Sequence, residues 1–383
     1  MDGSRLLRCR FHLRMPALGG GAAAEEDADD ALVVRVGEGS PPLMLEVWEG
    51  KGYREYDEEK ADGKWDVYWK GCRFCASEYK QATPQQRINH FQKTSEITKK
   101  DALLRNLRRM KAIHGAVYAF SPETYILPTE WTTLVRRVES MPVAERPIWI
   151  LKPTDSSQGR KIFIIRDLAE ISYGHFSASM LSDERPASDP DRDPKLDDKG
   201  RAIAMELDMS TTLKMLKSRL NKTVTPCVKF TEMHVVQRYI ERPLCFRGFK
   251  LDLRIYVLLL SAQPLRVYWF CDGLVRFATQ TYNLANLDNS YAHLTNCSIN
   301  KHSSVGAAGC KWSMRRFLSE HPDHPLNSAL LWTRIRAIVN LTMLSIAPSI
   351  TDNGGCFELL GFDVMIDEQS KPWLLEVNCP DGL

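Results

Sequence analysis

The chain lacks a strong charge of either sign: 51 Lys and Arg against 48 Asp and Glu leave a net charge of only +3 over 383 residues. Aromatic residues make up just 9% and form no ladder between cations, so no nucleic-acid partner is expected. No apolar run approaches the length of a membrane span, and no membrane attachment is expected. A secretory signal is also missing. The ten cysteines therefore read as reduced thiols in the cytosol. Cys72 and Cys75 have the spacing of half a zinc site, but no second pair follows nearby, which argues against zinc. What remains is a chain long enough to bury a full core and to hold two or three subdomains.

The most informative stretch is Gly361-Phe362-Asp363-Val364-Met365-Ile366-Asp367, a turn, and Trp373-Leu374-Leu375-Glu376-Val377-Asn378. Strand side chains alternate between faces, so Glu376 and Asn378 share a face that Val377 avoids, and Asp363 opposes Phe362 and Val364. Folded back at residues 368–372, the hairpin brings Asp363 near Glu376 and Asn378, although alternation alone leaves the register open. Two carboxylates and an amide oxygen suit Mg²⁺, which binds through few protein ligands and keeps water or phosphate in the rest of its shell. An antiparallel hairpin with a solvated polar face explains the same pattern.

A second strand carries charge inward. In Lys250-Leu251-Asp252-Leu253-Arg254-Ile255-Tyr256-Val257, the residues Lys250, Asp252, Arg254 and Tyr256 fall on one face and the apolar ones on the other. Such a row either lines an anion-filled cleft or forms ion pairs on a half-exposed strand. Residues 266–270 read as its partner strand and 273–278 as a third, which adds Arg276 as a candidate cation. Trp149-Ile150-Leu151-Lys152-Pro153 reads as a short strand that leads into a small polar loop and then a strand over 162–165. That loop lacks the G-x-x-x-x-G-K-[ST] spacing of a P-loop. Its backbone N–H groups, around Ser157 and Gly159, can still close over phosphates, with Lys152 and Arg160 adding charge; an ordinary hairpin turn has the same composition.

Charge is uneven along the chain. Glu25, Glu26, Asp27, Asp29 and Asp30 make the start acidic, whereas Lys99, Lys100, Arg105, Arg108, Arg109 and Lys111 concentrate positive charge on a segment whose Leu103, Leu104, Leu107 and Met110 recur at helical spacing. Gly115 is a plausible stop for that helix. Its cations make either a solvated face or a dock for an acidic tail. The expected organisation is a disordered leader over 1–42, an N-terminal subdomain over 43–145, a central subdomain over 146–245 with an irregular insertion at 174–230, and a C-terminal subdomain over 246–383.

Taken together, these words resemble the tubulin tyrosine ligase-like family, over about 65–378. The matching words include Asn89-His90-Phe91, Lys100-Asp101-Ala102-Leu103, Gln237-Arg238-Tyr239-Ile240, Lys250-Leu251-Asp252-Leu253-Arg254, Gly273-Leu274-Val275-Arg276-Phe277, His293-Leu294-Thr295-Asn296, Ser298-Ile299-Asn300-Lys301, Phe357-Glu358-Leu359-Leu360-Gly361-Phe362-Asp363 and Leu375-Glu376-Val377-Asn378. The polyglutamylase branch fits better than the tyrosine ligase itself.

The resemblance implies an α/β (α+β) ATP-grasp fold and an ATP-dependent ligase that adds glutamate to glutamate side chains of tubulin tails through an acyl phosphate. It implies that Gln237, Arg238, Tyr239 and Ile240 hold adenine, that Lys152 with Ser157, Gly159 and Arg160 reaches the phosphates, and that Lys250, Asp252, Arg254 and Arg276 surround the reacting groups. It further implies that His293, Thr295 and Asn296 contact nucleotide and phosphate, and that Asp363, Glu376 and Asn378 hold Mg²⁺. ATP, free glutamate and tubulin or microtubules are the implied partners of a monomer working in the cytoplasm, on the microtubule cytoskeleton, including cilia or basal bodies. The alternatives are a ligase for another amino acid or another acidic protein, and a non-catalytic microtubule-binding relative.

Two departures from the family pattern stand out. Lys161 occupies a position where glycine is usual after the loop arginine, and Asn-x-Ser-Pro with a following helix does not appear after Asn378, so a truncated C-terminal subdomain with reduced activity is expected.

Overall fold

Val33, Val34 and Val36 are β-branched, and in the computed structural model they form the first strand, β1 (Val33–Val36). The structure describes residues 31–59, 64–154, 159, 161–173, 228–230, 232–300, 303, 310–351 and 355–379. Of the expected disordered leader, residues 1–30 lie outside that set, whereas β1 is ordered because parallel pairing to β2 (Arg54–Glu55) and β3 (Val67–Trp69) satisfies its backbone. β4 (Arg87–Ile88) completes this four-stranded sheet, with α1 (Leu43–Glu49) and α2 (Ala76–Gln81) in its connections.

The described residues fall into two compact units, one within 1–121, 242–283 and 290–383, the other within 122–241 and 284–289. The expected ranges 43–145, 146–245 and 246–383 cut the chain more finely. In the first unit, α3 (Ser95–Thr98) precedes α4 (Lys100–His114), the basic helix. Ala102, Leu103, Leu104 and Leu107 are buried along α4, and Gly115 at φ +71° ends it in a conformation that costs glycine little.

The second unit holds β5 (Thr124–Leu127), β6 (Trp149–Pro153), β7 (Phe163–Ile165) and β10 (His234–Arg238) as an antiparallel sheet in the order β5-β10-β6-β7. Trp131, Leu134, Val135 and Val138 of α5 (Trp131–Glu139) share its core with Trp149, Leu151 and Val236. β8 (Ile171–Tyr173) and β9 (Val228–Phe230) pair in parallel, so the expected irregular insertion 174–230 ends in a strand; residues 174–227 lie outside the described set.

The six-stranded sheet of the first unit positions the site. It runs β14 (Lys311–Ser313), β13 (Leu265–Phe277), β12 (Phe249–Ala262), β15 (Glu358–Ile366), β16 (Pro372–Asn378), with β11 (Cys245–Phe246) also on β12. Leu251, Leu253, Ile255, Val257, Leu360, Phe362 and Val364 are at most 1% exposed and share one core with Ile335, Ile338, Val339 and Met343 of α8 (Ala329–Ile346). Burying each such side chain contributes roughly 1.5–3 kcal/mol, so this face fixes the strand register.

Two expectations are corrected here. Residues 266–270 and 273–278 are not two strands: β13 runs unbroken through Gly273, where an added Cβ would stand 2.6 Å from the Arg254 carbonyl oxygen. The glycine marks close backbone approach beside a register shift, not a turn. Residues 329–349, moreover, are long and apolar enough to cross a membrane by length and composition, contrary to the reading that no run approaches that length. One side of this segment is used in the core, with Leu331, Ile335, Val339, Met343 and Ile346 at most 1% exposed, whereas Leu330 and Leu344 are 59% and 50% exposed.

Candidate active site

Because neighbouring residues in paired strands share a face, the registers Asp252–Arg276, Arg254–Asp363 and Asp363–Glu376 bring the polar positions of four strands together. Arg276 grips Asp252 in a bidentate pair, Nε donating to Oδ1 at 2.7 Å and Nη2 to Oδ2 at 2.6 Å. The same Nη2 lies 3.0 Å from Asp363 Oδ2, and Arg254 donates through Nε to Asp363 Oδ1. Gly361 makes room for this, since a Cβ there would sit 2.8 Å from Arg254 Nη1. The Thr295 hydroxyl donates to Asp252 Oδ2 at 2.7 Å. The row on β12 is therefore a cross-strand ion network, not a set of pairs along one strand.

Its electrostatics follow from burial and pairing. Burial pushes the Asp363 carboxyl up, but the Arg276 and Arg254 guanidinium groups hold it below the usual carboxylate range. Burial likewise works against the Arg276 cation, and Asp252 and Asp363 more than restore it. Tyr256, on the same face, has its phenol pushed up by burial, with Arg254 and Arg276 pulling the other way.

Asn378 completes the edge. Its Nδ2 lies 3.4 Å from Asp363 Oδ2 and 3.3 Å from Glu376 Oε1, so the two carboxylates and the amide converge. Among the described residues no three or more His, Cys, Asp or Glu form a metal group, which leaves this two-carboxylate edge as the arrangement to test against Mg²⁺. The donor set fits. It offers hard oxygens in small number, and a half-turn of the Asn378 amide presents Oδ1 in place of Nδ2. Three carboxylates are balanced by Arg254, Arg276 and Lys250, so a bound dication leaves a positive field suited to phosphate.

The other candidates are placed as follows. Lys250 is 3% exposed, with its ammonium 5.8 Å from the Tyr282 ring centroid. His293, in α6 (Ser290–His293), is buried and packs edge-on against that same ring at 5.4 Å. The Asn296 carbonyl accepts the N–H groups of Ile299 and Asn300 and so shapes α7 (Cys297–Asn300). Within the second unit, Lys152 Nζ donates to Gln237 Oε1 at 3.0 Å, and Gln237 Nε2 donates to Thr124 Oγ1 at 3.1 Å. Arg238 closes β10, and Tyr239 donates its N–H to the Ile148 carbonyl ahead of Ile240. Gly159 adopts φ +76° and Lys161 φ +54°, so the lysine takes a conformation that glycine adopts freely. Ser157 and Arg160 lie outside the described residues.

Sequence reasoning assigned no role to Asn300 and Thr279. Asn300 is fully buried, donates to the Leu294 carbonyl at 2.8 Å and accepts from Thr279 Oγ1 at 2.6 Å, bracing the turn that presents Thr295. The only signal was an asparagine inside an otherwise unassigned word, Ser298-Ile299-Asn300-Lys301. Cys297 in the same turn has its thiol pushed up to about 11 by burial and by hydrogen bonding with Cys310. At neutral pH this upward shift lowers its thiolate fraction. Iodoacetamide followed by peptide mass spectrometry is therefore expected to label exposed Cys72 and Cys75 well before Cys297.

Comparison with known proteins places these motifs. The chain is 33% identical over 376 residues to "Probable tubulin polyglutamylase TTLL2" of Homo sapiens, covering 94% of this chain and 54% of that protein. It is 35% identical over 359 residues to the Mus musculus protein of the same name, covering 91% and 56%. With "Tubulin polyglutamylase TTLL6" of Homo sapiens it shares 33% over 345 residues, 85% of this chain and 32% of the relative. The chain thus spans about half the length of the first two relatives. The model of the tubulin-tyrosine ligase family matches residues 77–381, which contain both β12 and the β15–β16 hairpin, and the chain belongs to that family.

Proposed function

We propose that the chain is an ATP-dependent carboxylate–amine ligase of ATP-grasp type that adds glutamate to glutamate side chains of tubulin tails. The observation that carries this reading is the convergence of Asp252, Arg254, Arg276, Asp363, Glu376 and Asn378 on one face of the six-stranded sheet. The names of its relatives support the choice of substrate.

A carboxylate resists attack by an amine, because its charge repels nucleophiles and oxide is a poor leaving group. Transfer of the γ-phosphoryl group of ATP to the side-chain carboxylate of the acceptor, with release of ADP, supplies the activation. The amine of free glutamate then attacks the acyl carbon, phosphate departs with a former carboxylate oxygen, and loss of a proton from nitrogen leaves an isopeptide bond. In this scheme Gln237, Arg238, Tyr239 and Ile240 hold adenine, and Lys152, Ser157, Gly159, Arg160, His293, Thr295 and Asn296 hold phosphates. Lys250, Arg254 and Arg276 neutralise charge on the phosphoryl group and the carboxylate, while Asp252 orients Arg276. Asp363, Glu376 and Asn378 would hold Mg²⁺, which supplies charge neutralisation when bound. The scheme places the protein at microtubules, acting as a monomer.

Incubation with ATP, isotopically labelled glutamate and tubulin is expected to yield tail peptides carrying branched glutamates by mass spectrometry. Labelling with a different amino acid, or only of a different acidic protein, replaces the substrate assignment; nucleotide-independent binding without any ligation replaces the enzymatic one.

The basic helix supports docking of an acidic tail. Arg105, Arg109 and Lys111 are exposed, but Arg109 also donates to Asn106 Oδ1 at 2.9 Å and to the Ser345 carbonyl at 3.3 Å, so it holds the helix in place. Reversing Arg105 and Lys111 to Glu is expected to weaken microtubule co-sedimentation several-fold. Salt above physiological strength, where the Debye length falls below about 8 Å, should weaken the wild type in the same direction. Binding that ignores both changes makes this a solvated face.

A further inference from the structure

Glu358 opens β15 five positions before Asp363 and is 0% exposed, yet nothing in the ligase scheme uses it. A carboxylate stripped of water is costly unless donors replace the water, and here donors come from two distant segments. His90 Nδ1 lies 3.2 Å from Oε1, and the Thr94 hydroxyl donates to the same oxygen at 3.1 Å. The Phe91 N–H donates to Oε2 at 3.2 Å. The Cys379 thiol, one residue beyond Asn378, approaches Oε1 at 3.7 Å.

The connection continues past His90. Its Nε2 faces the Lys70 carbonyl at 3.0 Å, and Asn89 brackets the same residue, accepting the Lys70 N–H at 3.0 Å and donating to the carbonyl at 2.8 Å. Beside this, Ile88 bridges to Cys356, and Phe357 donates its N–H to the Ile88 carbonyl. One buried carboxylate thus joins the end of β3, the segment after β4, the start of β15 and the residue that follows β16.

We propose that Glu358 is a positioning residue for the Asp363–Glu376–Asn378 edge. It fastens β15 at its origin and β16 at its terminus to the same point, so that Asp363 and Asn378 keep the separation a divalent cation requires. A hairpin held only at its turn is free to fray at its open end, and the open end is where Asn378 lies. This inference rests on the reading of that edge as a metal site. It also makes the 88–94 segment part of the catalytic unit.

The test uses the full chain with Mn²⁺ as probe in the presence of a non-hydrolysable ATP analogue. Glu358→Gln keeps the shape but sets an amide N–H₂ among groups that donate. Thr94→Val removes one donor and leaves the carboxylate, and so serves if the first variant does not fold. In either variant, checked as folded by circular dichroism, amide hydrogen exchange over 374–379 is expected to accelerate, and Mn²⁺ affinity measured by electron paramagnetic resonance is expected to fall, about tenfold or more for Glu358→Gln, as for partners that orient metal ligands. Ligase activity should recover partly at high Mg²⁺, which a general loss of folding would not allow. Unchanged exchange over 374–379, or Mn²⁺ affinity within twofold of wild type in a folded Glu358→Gln protein, overturns the proposal. Wild-type protein that takes up no Mn²⁺ overturns it together with the metal reading. Wild-type protein that binds Mn²⁺ but ligates nothing overturns the ligase reading alone, and the exchange and affinity results then still decide the role of Glu358.

Discussion

Glu376→Gln is expected to lower ligase turnover by about two orders of magnitude or more while leaving the melting temperature nearly unchanged, because a group that stabilises developing charge is commonly worth that much. Glu376 stands opposite Asp363 in the β15–β16 register and within 3.3 Å of Asn378 Nδ2, and it is only half-buried. Gln preserves its size and its place in the strand, so the fold has little reason to respond. The charge offered to a cation does change: the edge keeps one carboxylate where it had two. Steady-state rates at saturating Mg²⁺, paired with a thermal melt, check both halves of the expectation. Activity within a few-fold of wild type would remove Glu376 from the proposed metal set.

How much of this site could be read in the sequence depended on the range of the interactions. Period-two alternation is local, so the faces of β12, β15 and β16 were legible from their own residues, as was the helix that ends at Gly115. The hairpin register needed more. Alternation allowed Asp363 to lie near Glu376 without requiring it, and burial of Phe362, Val364 and Val377 on the other face settles the pairing. Partners across non-consecutive strands left no local trace. Arg276 was visible as a candidate cation, but its simultaneous hold on Asp252 and Asp363 depends on β12 lying between β13 and β15. The unbroken course of β13 from 266–270 into 273–278 left no local trace either: at Gly273 the neighbouring strand's carbonyl occupies the space a side chain would need. The role of Glu358 was hidden in the same way, its donors lying more than 260 residues away along the chain or beyond the end of the next strand.

That cross-strand placement leads to the second large effect, which is on stability. Arg276→Met roughly preserves volume but leaves Asp252 and Asp363, 3% and 2% exposed, without their shared cation. Removing one partner of a buried pair strands a charge and typically costs about 3–5 kcal/mol, far more than the intact pair contributes over a well-packed apolar replacement. Urea unfolding at neutral pH is expected to show a loss of that order. Its pH dependence identifies the cause. In the wild type, Arg276 and Arg254 hold the Asp363 carboxyl below its ordinary value against the opposing effect of burial, so the stability it contributes is present above that ordinary value and disappears only as pH falls through the lower native one. In the variant Arg254 still pairs with Asp363 but burial is less opposed, so ionised Asp363 contributes less, and the deficit should be widest at neutral pH and narrow as acid neutralises the carboxyl. Adding Asp252→Asn to Arg276→Met should recover part of the loss, since the orphaned charge goes with it. A deficit that is independent of pH and untouched by the second substitution would trace the effect to packing around Met, and the ion network would then be a poor description of what holds these strands in place.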